Sequence, residues 1–365
     1  MLVFENLDLL DLSNRAVQQL QQALMHLPAD EVGLQEEVAG RLAGLVMGLG
    51  SGPHINKQQE EKESVTARLR VEESPGQGRY VVATTDIGAG ELVVRDRPGV
   101  SALHASHRAT NCQHCLTALA GTATPCPACS QVLFCSPVCR AAATFHGLEC
   151  GWSDLLPGLG PLAPVCRIFT SRSAQFFLDR AALLDCCDPP ATNLEPDTEP
   201  FLALFRLQAG CRPGSQYKVD KAALAYYTVC LLKRLEYFQD NRAVSLQEEH
   251  LVVGRFALHF LKVADDNCHE VCELELPATA TFTELVAAAE SVVHVVGVAI
   301  YPRISLFNNS CDVNTLKYHV GREEVLVARR DIRAGEEVTD FYGEYFFQSS
   351  RLARKRSLGF PCSCR

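Results

Sequence analysis

Eight metal-type ligands, set in register between Cys112 and Cys150, constrain this chain more than anything else in it. They read Cys112-x2-Cys115, Cys126-x2-Cys129, Cys135-x3-Cys139 and His146-x3-Cys150. Zinc takes four sulfur or nitrogen ligands in a closed structural site, and a short Cys-x-x-Cys turn aims two sulfurs at one ion. The ligands therefore make two tetrahedral sites with none left over. A block this short cannot bury enough apolar surface to fold alone. The metal supplies the difference, with roughly 10–16 kcal/mol of apparent binding energy per site. Neither site keeps an open position, which argues against a catalytic zinc.

The chain has 17 cysteines, so a secreted disulfide scaffold is the competing reading. The length of 365 residues, the odd count and the paired spacings weigh against it. So does the N-terminus, which is acidic and does not read as a signal or transit peptide. A reducing compartment, cytoplasm and/or nucleus, is the expectation. Cys166, Cys186, Cys187, Cys211, Cys230, Cys268 and Cys272 are most simply small buried apolar residues. The apolar stretch from Val286 to Ile300 is interrupted by Glu290 and His294 and is too short to span a bilayer, so no membrane partner is expected. A net charge of −9 argues against nucleic acid. The basic cluster Arg351, Arg354, Lys355 and Arg356 reads as a solvated helix face.

Around the cysteine block the chain changes character. Ser13 is a plausible N-cap for a helix carrying Val17, Leu20, Leu24 and Leu27 on one face, and Leu34, Val38, Leu42, Leu45 and Leu49 repeat the pattern after Pro28. Residues 1–55 are thus expected to be helical, a plain hairpin or the remnant of a tetratricopeptide repeat. The chain begins inside this pattern, as a piece of something longer would. Residues 151–290 also read as mostly helical. One helix is predicted over Lys221–Gln239 with Leu224, Tyr227, Leu231, Leu235 and Phe238 on its stripe. Capping boxes at Ser245-x-x-Glu248 and Thr281-x-x-Glu284 open two more. Residues 65–111 and 291–345 instead read as short strands. Thr315 to Arg330 alternates about Gly321 like a hairpin. The run Val82-Ala83-Thr84-Thr85-Asp86-Ile87-Gly88-Ala89-Gly90-Glu91 is echoed by Val327-Ala328-Arg329-Arg330-Asp331-Ile332-Arg333-Ala334-Gly335-Glu336. Each is a β-branched strand, Asp-Ile, and an Ala-Gly turn that supplies a permissive φ. One strand-rich domain is therefore split, with the cysteine block and the helices inserted.

The cysteine block, residues 112–150, resembles the MYND zinc finger. The resemblance implies an interleaved pairing, with Cys112, Cys115, Cys135 and Cys139 on one ion and Cys126, Cys129, His146 and Cys150 on the other. It also implies a protein-interaction module, often for proline-rich peptides. Four segments resemble the SET domain split around such a finger, as in the SET-and-MYND (SMYD) family, and in particular its member with tetratricopeptide repeats. They are Gly76 to Tyr80; Tyr301-Pro302 with Ser305 to Cys311; Gly335 to Glu337 with Phe341 to Gly343; and Phe360 to Cys364. The implied fold class is α+β, a SET β-clip of short strands with an N-terminal helical hairpin, and residues 346–365 form a post-SET segment. The implied activity is methyl transfer from S-adenosylmethionine to a lysine of a protein substrate, histone or non-histone. The family implies Gly78, Arg79, Asn308, Asn309 and Phe360 around the cofactor, and Tyr342 as the catalytic tyrosine at the end of the lysine channel. It also implies a third zinc on Cys311, Cys362 and Cys364, whose fourth cysteine would fall beyond Arg365, as in a truncated chain.

Two departures bear on activity. The family's Asn-His-Ser-Cys is Asn308-Asn309-Ser310-Cys311 here, and the asparagine that the family sets near the end of its helical insert has no counterpart between Asn267 and Asn308. The rival reading is a catalytically weak or inactive SET/MYND scaffold that recruits protein partners.

Overall fold

The computed structural model describes residues 65–74, 78–119, 121, 123–152, 162–185, 200–209, 215–239, 247–274 and 293–342. The helical reading of residues 13–50, the helix start at Thr281, and Phe360, Cys362 and Cys364 lie outside the described residues. In chain order come β1 (Leu69–Ser74), β2 (Gly78–Ala83), β3 (Leu92–Asp96) and β4 (Val100–Leu103). The finger contributes β5 (Thr124–Pro125), β6 (Leu133–Phe134), α1 (Pro137–Ala142) and α2 (His146–Glu149). Next are α3 (Leu162–Thr170), α4 (Ala174–Leu178), α5 (Pro200–Phe205), α6 (Ser215–Arg234) and α7 (Glu248–Asn267). Strands β7 (Cys268–Leu274), β8 (Val293–Ile300), β9 (Thr315–Val320), β10 (Glu323–Ala328) and β11 (Glu337–Val338) follow.

The fold mixes α and β, with small antiparallel sheets ordered β1-β2-β11, β3-β10-β9, β4-β8-β7 and β5-β6 among the described residues. The expected hairpin is β9–β10, turning at Gly321 with φ 56°. Val81, Ile87, Val93, Leu326, Ile332 and Val338 form the apolar floor under the first two sheets. The helices gather a second core around Phe169, Phe177, Phe201, Phe256 and Phe260, mostly in edge-to-face contact, and it reaches Val100 on β4 and Ile300 on β8.

The sequence echo becomes a spatial clasp. Ile87 and Ile332 exchange backbone hydrogen bonds at 2.8 and 2.9 Å. Gly335 N donates to Ala83 O, and its counterpart Gly90 N donates to Ala328 O, both at 2.7 Å. Ala89 N donates to Asp331 Oδ1 at 3.0 Å, and Ala334 N donates to Asp86 Oδ1 at 2.8 Å. Gly90 and Gly335 take φ of 84° and 83°, where a side chain would be strained. Two segments with one sequence pattern thus bind each other about an approximate two-fold axis.

Helix boundaries differ from the sequence expectation. Helix α6 starts at Ser215 rather than Lys221 and stops at Arg234 rather than Gln239. Glu236, at φ 57°, closes it: Tyr237 N donates to Leu232 O and Glu236 N to Lys233 O, a Schellman arrangement. A glutamate in that left-handed position carries no sequence signal, whereas a glycine would have. Leu224 and Tyr227 face water, and burial falls on Val229, Leu231 and Leu232, in the second half of the helix, and on Leu235 just past its end. Helix α7 takes Gln247 as its N-cap, in a reciprocal box with His250, rather than Ser245 with Glu248.

Candidate functional site

The finger's side chains gather in the two groups that the resemblance implied. Cys112, Cys115, Cys135 and Cys139 form one, and Cys126, Cys129, His146 and Cys150 the other; within each, the ligand atoms lie within 4.8 Å of one another. Cys115 Sγ lies 3.6 Å from Cys135 Sγ, Cys126 Sγ 3.8 Å from Cys150 Sγ, and Cys129 Sγ 3.5 Å from His146 Nε2. Tetrahedral coordination at about 2.3 Å separates sulfurs by about 3.8 Å, so both donor sets fit zinc. Local structure presets them. Ser136 caps α1 by accepting from Cys139 N at 3.2 Å, with Pro137 in the first turn, and this holds Cys135 and Cys139 one turn apart. The thiols share protons unevenly. The hydrogen bond from Cys112 pulls Cys115 down to about 4, while burial pushes Cys139 up to about 11 and Cys150 to about 12. Burial holds the His146 imidazole below its ordinary value, so it stays neutral, as a ligand must.

The finger is seated on the rest of the chain by polar contacts. Glu149, on α2, is 1% exposed and pairs with Arg167 of α3 at 3.1 Å. Arg167 also donates to Ser101 O, and Thr170 to Glu149 Oε1, both at 2.8 Å. On the other side Glu273 of β7 accepts from Asn111 Nδ2 and Ala118 N.

The second site assembles from distant segments. Gly78 opens β2 at φ 72°, and a Cβ built there would meet nothing within 4 Å. Asn308 Nδ2 donates to Arg79 O, 229 positions away, and to Glu337 Oε1, both at 3.1 Å. Asp340 N donates to Asn308 O and Ser310 N to Asp340 O, so the 308–310 loop and the 340–342 segment run side by side. Tyr342 N donates to Asn309 Oδ1 at 3.0 Å, and the Tyr342 hydroxyl donates to Phe307 O at 2.8 Å. Tyr342 is 39% exposed, but its hydroxyl end is partly buried, and burial there, then the Asp340 and Asp266 carboxylates, push the hydroxyl above the usual tyrosine value. The phenol stays neutral at any physiological pH. The structure thus joins Gly78, Arg79, Asn308, Asn309 and Tyr342 through hydrogen bonds and chain continuity, and Cys311, 3% exposed, lies two residues beyond Asn309.

A family model for the SET domain matches residues 78–343. The chain belongs to the SET domain family. The protein-lysine N-methyltransferase SMYD4 of Pongo abelii is 23% identical over 97% of this chain and 52% of its own. The N-lysine methyltransferase SMYD2-B of Xenopus laevis is 26% identical over 80% of this chain and 59% of its own. For the histone-lysine N-methyltransferase SMYD3 of Homo sapiens the figures are 24%, 79% and 58%. The resemblance to SMYD proteins stands. The chain spans about half the length of the curated relatives it matches.

Sequence reasoning passed over two residues at the end of α7. Asn267 is the last residue of α7, 4% exposed, with its amide donating to Gln208 O and Val263 O at 2.8 Å. An asparagine thus stands at the end of α7, and only the helix boundary reveals it. Asp266, beside it, lies close enough to act on Tyr342. Neither position carries a local motif.

Proposed function

We propose that this chain is a protein-lysine N-methyltransferase that moves a methyl group from S-adenosylmethionine to a lysine of a protein substrate, histone or non-histone. The observation that carries the reading is the meeting of Asn308 with Arg79 and of Tyr342 with Phe307 and Asn309 in one place. S-adenosylmethionine, when bound, supplies an electrophilic methyl group. Gly78 leaves room for its amino-acid end, Asn308 and Asn309 offer amide groups to its centre, and Phe360 is the proposed apolar wall for the adenine. A substrate lysine with pKa near 10.4 costs roughly 4–5 kcal/mol to deprotonate at neutral pH, and a partly dry channel lowers that cost. The Tyr342 proton is committed to Phe307 O, so the hydroxyl oxygen is left to accept from the incoming amine and orient it.

The two Cys/His groups would each hold a zinc ion, with a third on Cys311, Cys362 and Cys364. The finger would recruit proline-rich or other protein partners in the cytoplasm and/or nucleus.

One observation favours the scaffold reading. Both Asn308 amide hydrogens are spent on Arg79 O and Glu337 Oε1, and Asn309 Oδ1 on Tyr342 N, which thins the polar groups left for a cofactor. Calorimetry with S-adenosylmethionine on zinc-replete protein separates the two: binding is expected, and none would leave only the scaffold. With binding in hand, Tyr342→Phe should lower methyl transfer about 100-fold at nearly unchanged cofactor affinity. Equal losses of both would make Tyr342 structural.

A further inference from the structure

Lys317 is a lysine in the wrong kind of place. It lies on β9, 2% exposed, and points not at water but at three oxygens. Its Nζ is 2.6 Å from Asp340 Oδ2, 3.2 Å from Phe341 O and 3.5 Å from Glu324 Oε1. The ammonium donates to Asp340 Oδ2 and Phe341 O and forms an ion pair with Glu324. Asp340 and Glu324 are fully buried, and Glu324 Oε2 also meets His269 Nδ1 at 3.1 Å. Taking such charges out of water costs several kcal/mol per ion, and an apolar set of the same volume would often do as well for stability. What the apolar set could not do is fix the direction of a backbone.

The 340–342 segment follows Thr339, which is tied to Asn314 and Thr315, and its Phe341 packs on Val313. Its regular pairing ends with β11 at Val338, and beyond that it is held on one edge by the 308–310 loop. Lys317 grips it from the other side, through the Asp340 side chain and the Phe341 carbonyl, immediately before Tyr342. We propose that Lys317 is a positioning residue for Tyr342, clamping residues 340–341 so that the phenol is held against Phe307 O and over the reacting amine. The proposal rests on the methyl-transfer reading of Tyr342 given above.

The test removes Lys317 together with Asp340, its nearest partner, and leaves Glu324 its contact with His269: Lys317→Met with Asp340→Leu in the full chain, zinc-replete. Hydrogen exchange at the Asp340 and Tyr342 amides should quicken by about tenfold or more while the β9–β10 ladder keeps its protection. For methyl transfer, kcat should fall about tenfold with KM for a lysine peptide unchanged, and Tyr342→Phe added on top should cost much less than it costs alone. The neutral pair Lys317→Gln with Asp340→Asn keeps a donor for Phe341 O and should recover most of the lost rate. Exchange that is unchanged at 340–342, or that quickens equally in the ladder, overturns the proposal, as does a full multiplicative penalty from Tyr342→Phe. The two layers fail separately. A Tyr342→Phe protein at full rate overturns the reading of the site and the kinetic half of this proposal with it. Unaltered exchange beside a crippled Tyr342→Phe protein overturns the role of Lys317 alone.

Discussion

The finger and the pocket around Tyr342 are built by opposite means. The finger draws all its metal-type ligands from residues 112–150, and its apolar core is small: Cys112, Val132, Phe134, Ala143 and Phe145. The pocket draws on residues 78–79, 307–310 and 337–342, closed by single hydrogen bonds over an extensive aliphatic floor. The difference teaches where each region stores its stability. A local knot of this kind would depend on a bound metal, while a long-range pocket depends on everything that brings distant strands together. The clasp of Asp86-Ile87 with Asp331-Ile332 does much of that bringing together.

The comparison breaks most visibly under chelation. Removing zinc should unfold residues 112–150, because each site carries roughly 10–16 kcal/mol. Exchange measured by mass spectrometry should lose protection there while β9 and β10 keep theirs. Simultaneous loss in both would make them one cooperative unit. Acid should act in the same direction, since protons compete for the thiolates, and zinc release followed colorimetrically should rise as pH falls.

The seam between the finger and helix α3 comes next. Arg167→Leu leaves Glu149 buried without its guanidinium, which should cost about 3–5 kcal/mol in denaturant unfolding. A loss below about 1 kcal/mol would put that pair among ion pairs that water already screens.

Within the pocket, Asn308→Ala removes the two hydrogen bonds to Arg79 O and Glu337 Oε1. A stability loss of about 1–3 kcal/mol is expected, with weaker S-adenosylmethionine binding by calorimetry. An unchanged affinity would put Asn308 outside the cofactor's reach.

The smallest effect falls on the clasp. Gly335→Ala meets no atom within 4 Å and pays only for its positive φ, about 1 kcal/mol. The Asp86 carboxyl is held below its ordinary value by Ala334 N–H and then by the Arg333 guanidinium. Its folded value lies under its unfolded one, so its contribution is complete above the unfolded value and is lost as pH falls through the folded one. Asp86→Asn should flatten that acid limb slightly in thermal melts, and a steeper limb would refute the assignment.

How much was legible in advance varies residue by residue. The ligand pairing in the finger was open to spacing alone and needed the family resemblance to choose it; the packed side chains then grouped the same way. The β9–β10 hairpin was readable because alternation and Gly321 are both local signals. The end of α6 was not, because Glu236 takes a left-handed φ that its chemistry does not advertise. Asn267 was passed over for the same kind of reason, since its meaning depends on where a helix stops.

By itself the sequence determined the eight metal-type ligands and the echo of Val82–Glu91 in Val327–Glu336. Each is written in the order and spacing of neighbouring residues. Only the tertiary structure decided that Arg79, Asn308, Asp266 and Tyr342 share one place, and that Lys317 is spent on holding Asp340. Contacts over two hundred positions are set by how strands pair and helices end, and one residue of slip in either would send each of those side chains elsewhere.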